Sequence, residues 1–203
     1  MYADYEKLVR EIPEDMDIGL LVNNAGLGNS GPFKDVDSIS SLQNLVNVNA
    51  LHPVYMTYAM LNLRFKARKF RSGVLNVSSV MGRTLMPAFQ AYGATKRFLS
   101  YFSYIFATEA KMEGTNIDCL DYRPAFMATK LSGQTAGLFT STPAASAKAS
   151  LDAIHLSKVS NGLFIHHLSE YGMEWADWFI PSLYYKNFFK EGKKAWKAEN
   201  GIA

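Results

Sequence analysis

The chain has 203 residues, 48% hydrophobic and 19% charged, a balance that suits one domain around one core and excludes a disordered chain. Its single cysteine, Cys119, excludes an internal disulfide and a cysteine metal cluster. The net charge of +3 is local: five lysines and two glutamates in residues 186–203 account for all of it, and neither that run nor Arg64, Lys66, Arg68, Lys69 and Arg71 sits in a nucleic-acid module, so no nucleic-acid partner is expected.

The N-terminus, Met1-Tyr-Ala-Asp-Tyr-Glu-Lys7, is polar and does not read as a signal peptide; residues 2–11 read as a short polar helix. Ile18-Gly-Leu-Leu-Val22 is a short apolar run closing in Asn23-Asn24-Ala25-Gly26, a buried strand and its turn. Asp37-Ser38 is placed to cap a long helix over 39–69, whose basic end complements the helix dipole. Gly73 to Ser78 reads as a second strand, followed by a loop to Gln90. A helix over 91–112 stops at Gly114, and its uncharged stretch from Phe98 to Thr108 is too short to span a bilayer. Asn116 to Asp121 reads as a third strand, 123–141 as a loop, and Thr142-Pro143 as the opening of a helix to about 157. Asn161-Gly162 is read as turning into a fourth strand, Leu163-Phe-Ile-His166, before an aromatic helical tail broken at Pro181. Alternating strands and helices predict an α/β fold, a parallel sheet with helices on both faces, in one domain.

Chemistry-bearing positions collect at the strand ends. Tyr92 and Lys96 are four apart on one helix face, where they are either an acid/base unit or ordinary helix surface. A free tyrosine has a pKa of about 10, and a nearby ammonium favours the phenolate. Ser79 closes the second strand thirteen residues before Tyr92, where a hydroxyl can meet a substrate carbonyl or simply begin a turn. Asn49 lies four residues before Pro53, which has no N–H to give the Asn49 carbonyl. That carbonyl is expected to be free and the helix kinked, a station for a relay water or a bend required by packing. Small residues in Asn23-Asn24-Ala25-Gly26 let a ligand approach closely. Arg123-Pro124-Ala-Phe-Met-Ala-Thr129 follows the third strand and offers a hydroxyl to an amide or phosphate. His166-His167 read as strand-end residues, and no metal site is expected.

In order and spacing, Asn23-Asn24-Ala25-Gly26, Asn49, Ser79, Tyr92 and Lys96 resemble a short-chain dehydrogenase/reductase. Asn76-Val-Ser-Ser79, Tyr92-Gly-Ala-Thr-Lys96, Arg123 to Leu131 and Ser160 to His166 are similar to the 17β-hydroxysteroid dehydrogenase and very-long-chain 3-oxoacyl-CoA reductase group, and the resemblance covers residues 1–168. It implies a Rossmann-like, doubly wound sheet and oxidoreduction between a carbonyl and an alcohol on a steroid or fatty-acyl substrate, with NADP or NAD as cofactor and NADPH favoured. Tyr92 would exchange the proton, Lys96 would lower the tyrosine pKa and bind the nicotinamide ribose, Ser79 would hold the carbonyl and Asn49 the relay water. Asn24, Ala25, Gly26, Pro124 and Thr129 would line the cofactor. The family's opening strand, Gly-rich turn and further βα units have no counterpart here, so the chain is expected to be an incomplete version of a longer protein, lacking the first βαβαβ segment. Ile18 to Val22 would then be an uncovered apolar edge. A non-catalytic remnant unable to hold the dinucleotide is the alternative.

Residues 169–203 form a tail in which Trp175, Trp178, Phe179, Leu183, Tyr184, Tyr185, Phe188 and Phe189 precede Lys190, Lys193, Lys194 and Lys197. It reads either as a lid over a bulky apolar substrate or as a peripheral membrane contact with snorkelling lysines. The resemblance implies the endoplasmic reticulum membrane surface, with the cytoplasm as the place of a chain that truly lacks the N-terminal segment. A homodimer through helix 97–109 is a further expectation.

Overall fold

The computed structural model describes residues 4–28 and 30–202. Helix α1 (Tyr5–Arg10) starts at Asp4, whose carboxylate accepts the Lys7 N–H; residues 2 and 3 of the expected helix lie outside the described residues. Strand β1 (Leu20–Asn23) leads through a loop to α2 (Ile39–Val46), capped by the Ser38 hydroxyl, which accepts the Ser41 N–H at 3.1 Å. A π turn, Asn47–Leu51, joins α2 to α3 (His52–Met60), and a second one, Leu61–Phe65, ends the rod. Then come β2 (Ser72–Val77), α4 (Gln90–Met112), β3 (Ile117–Tyr122), α5 (Pro143–Ala153), β4 (Val159–Ser160), α6 (Phe164–Phe179) and α7 (Pro181–Glu199).

The four strands are parallel and lie in chain order, β1-β2-β3-β4. Strand alternation gives the sheet two apolar faces. On one, Val74 and Cys119 pack with Ala59, Met60 and Phe65 from the α3 rod, Ala107 of α4 and Val9 of α1. On the other, Leu75, Leu120 and Tyr122 meet Ile154 just beyond α5. The fold is thus α/β and Rossmann-like; among the described residues its first element is a helix and no strand with a Gly-rich turn precedes β1. On the α5 side of β1, Leu20 is 38% and Val22 47% exposed, and β1 is the outer strand.

Three expectations are corrected. Leu163 to His166 is not a strand: β4 is Val159–Ser160, Gly162 reverses the chain at φ +75°, and Leu163 caps α6. An apolar run that short carries too few residues to distinguish the two periods. The helix expected to reach 69 ends at Phe65 with Arg64 in its last turn, and the arginines of the basic run also bind other elements. Arg64 donates to the Val9 and Ile12 carbonyls at the end of α1, Arg68 pairs with Asp17, and Arg71 with Asp118 at 2.8 Å. The helix expected to reach 157 ends at Ala153.

The tail is two helices turned at Pro181. Helix α7 lies against the loops around the sheet's carboxyl edge: a Cβ at Gly31 would fall 2.6 Å from the Trp196 ring, and one at Gly192 2.6 Å from Ala88 Cβ. Neither helix, nor any other among the described residues, is long and apolar enough to cross a membrane.

Candidate active site

Parallel strands deliver their carboxyl ends to one edge, and there β2 passes Ser79 into a 3-10 turn, Val80–Gly82, that lies directly on α4. Two glycines allow this approach. A Cβ at Gly82 would stand 2.9 Å from the Arg97 nitrogen, and one at Gly93 3.0 Å from the Met81 carbonyl. The Ser79 hydroxyl accepts the Met81 N–H at 3.1 Å and acts on the Tyr92 phenol from the facing turn. One turn along α4, Lys96 is buried; its Nζ donates to the Val77 carbonyl at 2.8 Å and lies 5.7 Å from the Tyr92 ring centroid.

Burial dominates the electrostatics of both groups. It pushes the Tyr92 phenol above its ordinary value, with the Ser79 hydroxyl pulling the other way. It lowers Lys96 to about 8, against the upward pull of the Asp121 carboxylate. The influence opposing burial at Tyr92 is therefore Ser79.

Asn49 is fully buried in the π turn. The wide turn, closed by the His52 N–H on the Asn47 carbonyl, is how the rod meets Pro53. The Asn49 side chain donates to the Leu27 carbonyl at 2.9 Å and to Thr95 Oγ1 at 3.2 Å, and accepts the Leu27 N–H at 2.8 Å. Thr95 in turn donates to the Tyr92 carbonyl at 2.8 Å. Gly26 closes the cluster: a Cβ there would lie 3.4 Å from Lys96 Nζ and 3.5 Å from Asn49 Oδ1. Asn24 and Ala25 are exposed on the same turn.

The structure thus brings Gly26, Asn49, Ser79, Tyr92 and Lys96 into one cluster. Pro124 borders it, its carbonyl accepting the Val80 N–H at 3.2 Å. Thr129 stands apart in the 123–141 loop, where its hydroxyl accepts the Ser132 N–H at 3.3 Å, with no direct bond to the cluster among the described residues. A cleft of about 280 Å³ opens beside it, lined by Leu27, Gly28, Leu45 and Trp196 among others. A larger one of about 550 Å³, between α1 and Arg64 and Arg68, is remote from this chemistry.

Two residues named in the sequence have supporting roles it did not reveal. Asn23 donates to Asn76 Oδ1 at 2.7 Å and to Thr57 Oγ1 at 3.3 Å, tying β1 to β2 and α3 below the Gly26 turn. The doubled asparagine of the turn was its only signal. His166 is buried, its Nδ1 against the Asn161 carbonyl at 3.1 Å and its Nε2 against Ser141 Oγ at 3.0 Å, so it anchors the 123–141 loop to α6.

Residues 1–136 match the family model described as short chain dehydrogenase. The chain is 30% identical over 191 residues to "Putative steroid dehydrogenase 4" of Caenorhabditis elegans, covering 92% of this chain and 70% of that one. It is 31% identical over 157 residues to the human very-long-chain 3-oxoacyl-CoA reductase, covering 75% of this chain and 49% of that protein, so it spans about half the length of that relative. A short chain dehydrogenase from Burkholderia cenocepacia, solved in complex with NADP, superimposes with a TM-score of 0.70 at 17% identity over 97% of this chain and 76% of that one, a likeness of fold. With more than half of its length matched by the family model, and the Ser79, Tyr92 and Lys96 cluster at the strand ends of the fold it shares, the chain belongs to the short chain dehydrogenases.

Proposed function

We propose that the chain carries the proton-transfer centre of an NAD(P)-dependent oxidoreductase that interconverts a carbonyl and an alcohol on a steroid or fatty-acyl substrate. One observation carries this reading: the 3-10 turn that follows Ser79 lies directly on α4, where Lys96 is buried one turn along from Tyr92 and its Nζ stands 5.7 Å from the Tyr92 ring centroid. Ser79 orients the substrate oxygen, and Tyr92 gives it a proton in reduction or takes one in oxidation. Lys96, held by the Val77 carbonyl, supplies the positive charge that keeps a phenolate affordable after the proton leaves. Asn49 contributes by fixing the Leu27 peptide and, through its main-chain carbonyl, a relay water.

The cofactor, when bound, supplies or receives the hydride. Gly26, whose missing Cβ leaves Lys96 Nζ and Asn49 Oδ1 uncovered, is shaped to admit it. Asn24, Ala25 and Gly26 would hold its near side, Lys96 its ribose, and Pro124 and Thr129 its far side. The substrate class rests on the two named relatives. In titrations of the purified chain with NADPH, saturable binding at micromolar concentration supports this reading, and Tyr92→Phe should abolish turnover with cofactor affinity nearly intact. Absence of binding favours the alternative, a partner subunit that does not itself hold the dinucleotide, because no Gly-rich pyrophosphate turn lies among the described residues.

A second reading concerns the tail. Phe164, Leu168, Tyr171, Trp175 and Trp178 repeat at three- and four-residue steps along α6 and are all exposed, Trp178 at 83%. Exposed Lys186, Lys190, Lys193 and Lys194 follow on α7. Aromatic rings beside lysines suit the boundary of an anionic bilayer, such as the surface of the endoplasmic reticulum. Flotation with anionic liposomes, compared between the parent and Trp175→Ala/Trp178→Ala, tests it; equal flotation of both would sink it.

A further inference from the structure

Beneath the cluster lies a buried carboxylate that the proposed chemistry does not use. Asp121, in β3, is wholly buried. Its Oδ1 accepts the Ser78 hydroxyl; its Oδ2 accepts the Ser100 hydroxyl at 2.6 Å and Arg123 Nε at 2.6 Å. Arg123 Nη2 also donates to Ser100 Oγ at 2.9 Å, so the guanidinium, carboxylate and hydroxyl form a closed ring of bonds.

The two serines are placed with respect to the centre. Ser78 stands between Val77, whose carbonyl holds Lys96, and Ser79, which reaches Tyr92. Ser100 is one turn beyond Lys96 on the same face of α4. Ser79 is therefore one residue, Lys96 one helical turn and Tyr92 two helical turns from a bond to this carboxylate. A neutral side chain could fill the space, but a carboxylate also sets a negative charge beside a buried cation. The charged group acting on Lys96 is Asp121, to which Arg123 is bonded; Tyr92 lies beside Lys96 on its own helix, and the Cys119 thiol, two residues before Asp121 on β3, is kept protonated by burial. The turns that carry Gly26, Ser79 and Asn49 present only neutral groups.

We propose that Asp121 is a positioning residue for the proton transfer assigned to Tyr92: it ties β2, β3 and α4 together beneath Ser79, Tyr92 and Lys96, and its charge holds Lys96 as the ammonium. The role in catalysis rests on the reading above. The electrostatic part does not, and it can be measured without cofactor or substrate.

The test follows the titration of Lys96 by NMR in the full chain labelled at lysine Cε, with the Lys96 resonance assigned by its loss in Lys96→Arg. In Asp121→Asn the carboxylate charge is gone and Arg123 is left as a bare like charge, so Lys96 should titrate about one pH unit or more lower. In Arg123→Gln the carboxylate is no longer neutralised, and Lys96 should titrate higher. A merely structural role cannot move one group in opposite directions. An unchanged titration, or shifts of the same sign, overturns the proposal; if Asp121→Asn fails to fold by circular dichroism, the absence of an upward shift in Arg123→Gln overturns it alone. Turnover in Tyr92→Phe would sink the proton-transfer reading and leave the Lys96 shifts standing.

Discussion

Asn49 holds both main-chain polar groups of Leu27, accepting the N–H at 2.8 Å and donating to the carbonyl at 2.9 Å. A side-chain amide carries its donor and its acceptor on separate atoms of one plane, which lets it meet both groups at once. Asn49→Asp keeps the acceptor and loses the donor; Asn49→Ala loses both and leaves the Leu27 peptide to solvent. The expected cost is about 1–2 kcal/mol for Asn49→Ala, read from the urea midpoint, because the bonds are only partly buried.

Lys96 makes stability depend on alkaline pH. Its ordinary value is 10.5 and the folded value about 8, so between these the unfolded chain binds more protons than the folded one. Stability contributed by this group therefore rises with pH from about 8 to 10.5, by on the order of 3 kcal/mol across the window. Cys119 acts oppositely above its ordinary value of 9.0, since burial raises it and only the unfolded chain releases that proton. The difference between parent and Lys96→Met, measured by urea unfolding at each pH, isolates the lysine: it should grow with pH through the window, and a flat difference would contradict the burial described.

Gly82 sets the seat of Ser79. A Cβ at this position would stand 2.9 Å from main-chain atoms of Arg97 and Lys96, which cannot swing away as a side chain can. Gly82→Ala is expected to destabilise the fold by about 1–3 kcal/mol by overpacking. Beyond that, the turn must lift off α4 and take Ser79 with it, so the Tyr92 phenol should titrate differently in a pH series of ultraviolet difference spectra.

His166 should make the 123–141 loop acid-sensitive. Burial is the main cause that lowers it below 6.5, so the unfolded chain binds the extra proton first. Its contribution is complete above 6.5 and is lost as pH falls below that value. Proteolysis of the loop should accelerate as pH is lowered from 7 to 5 in the parent, and His166→Gln should flatten that dependence.

The strand-end chemistry was legible because each piece carries a local signal. Turn residues close β1 and β2, Gly114 ends α4 at φ +65°, and the four-residue step of Tyr92 and Lys96 needs only a helix to become a contact. The parallel sense of the sheet followed from alternation. What stayed hidden depends on partners far apart in the chain. Asp121 looks like the end of a strand until Ser78 and Ser100 arrive from β2 and α4. His166 belongs to α6 because its ring is caught by Asn161 and Ser141, and Leu163 to His166 alone says nothing of that. The rise of Tyr92 and fall of Lys96 follow from burial, a property of the packed domain.

The outer position of β1 has a consequence for how this centre meets other molecules. Parallel strands end on the same side, so any strand that pairs alongside Leu20 to Asn23 in the sense of β2 brings its own carboxyl end beside exposed Asn24 and Ala25. Covering the apolar edge and walling the open side of the Gly26 turn would then be a single event. Assembly at β1 and formation of a complete binding pocket would then be thermodynamically linked: a ligand spanning the new wall would strengthen the pairing, and the pairing would strengthen its grip on the ligand.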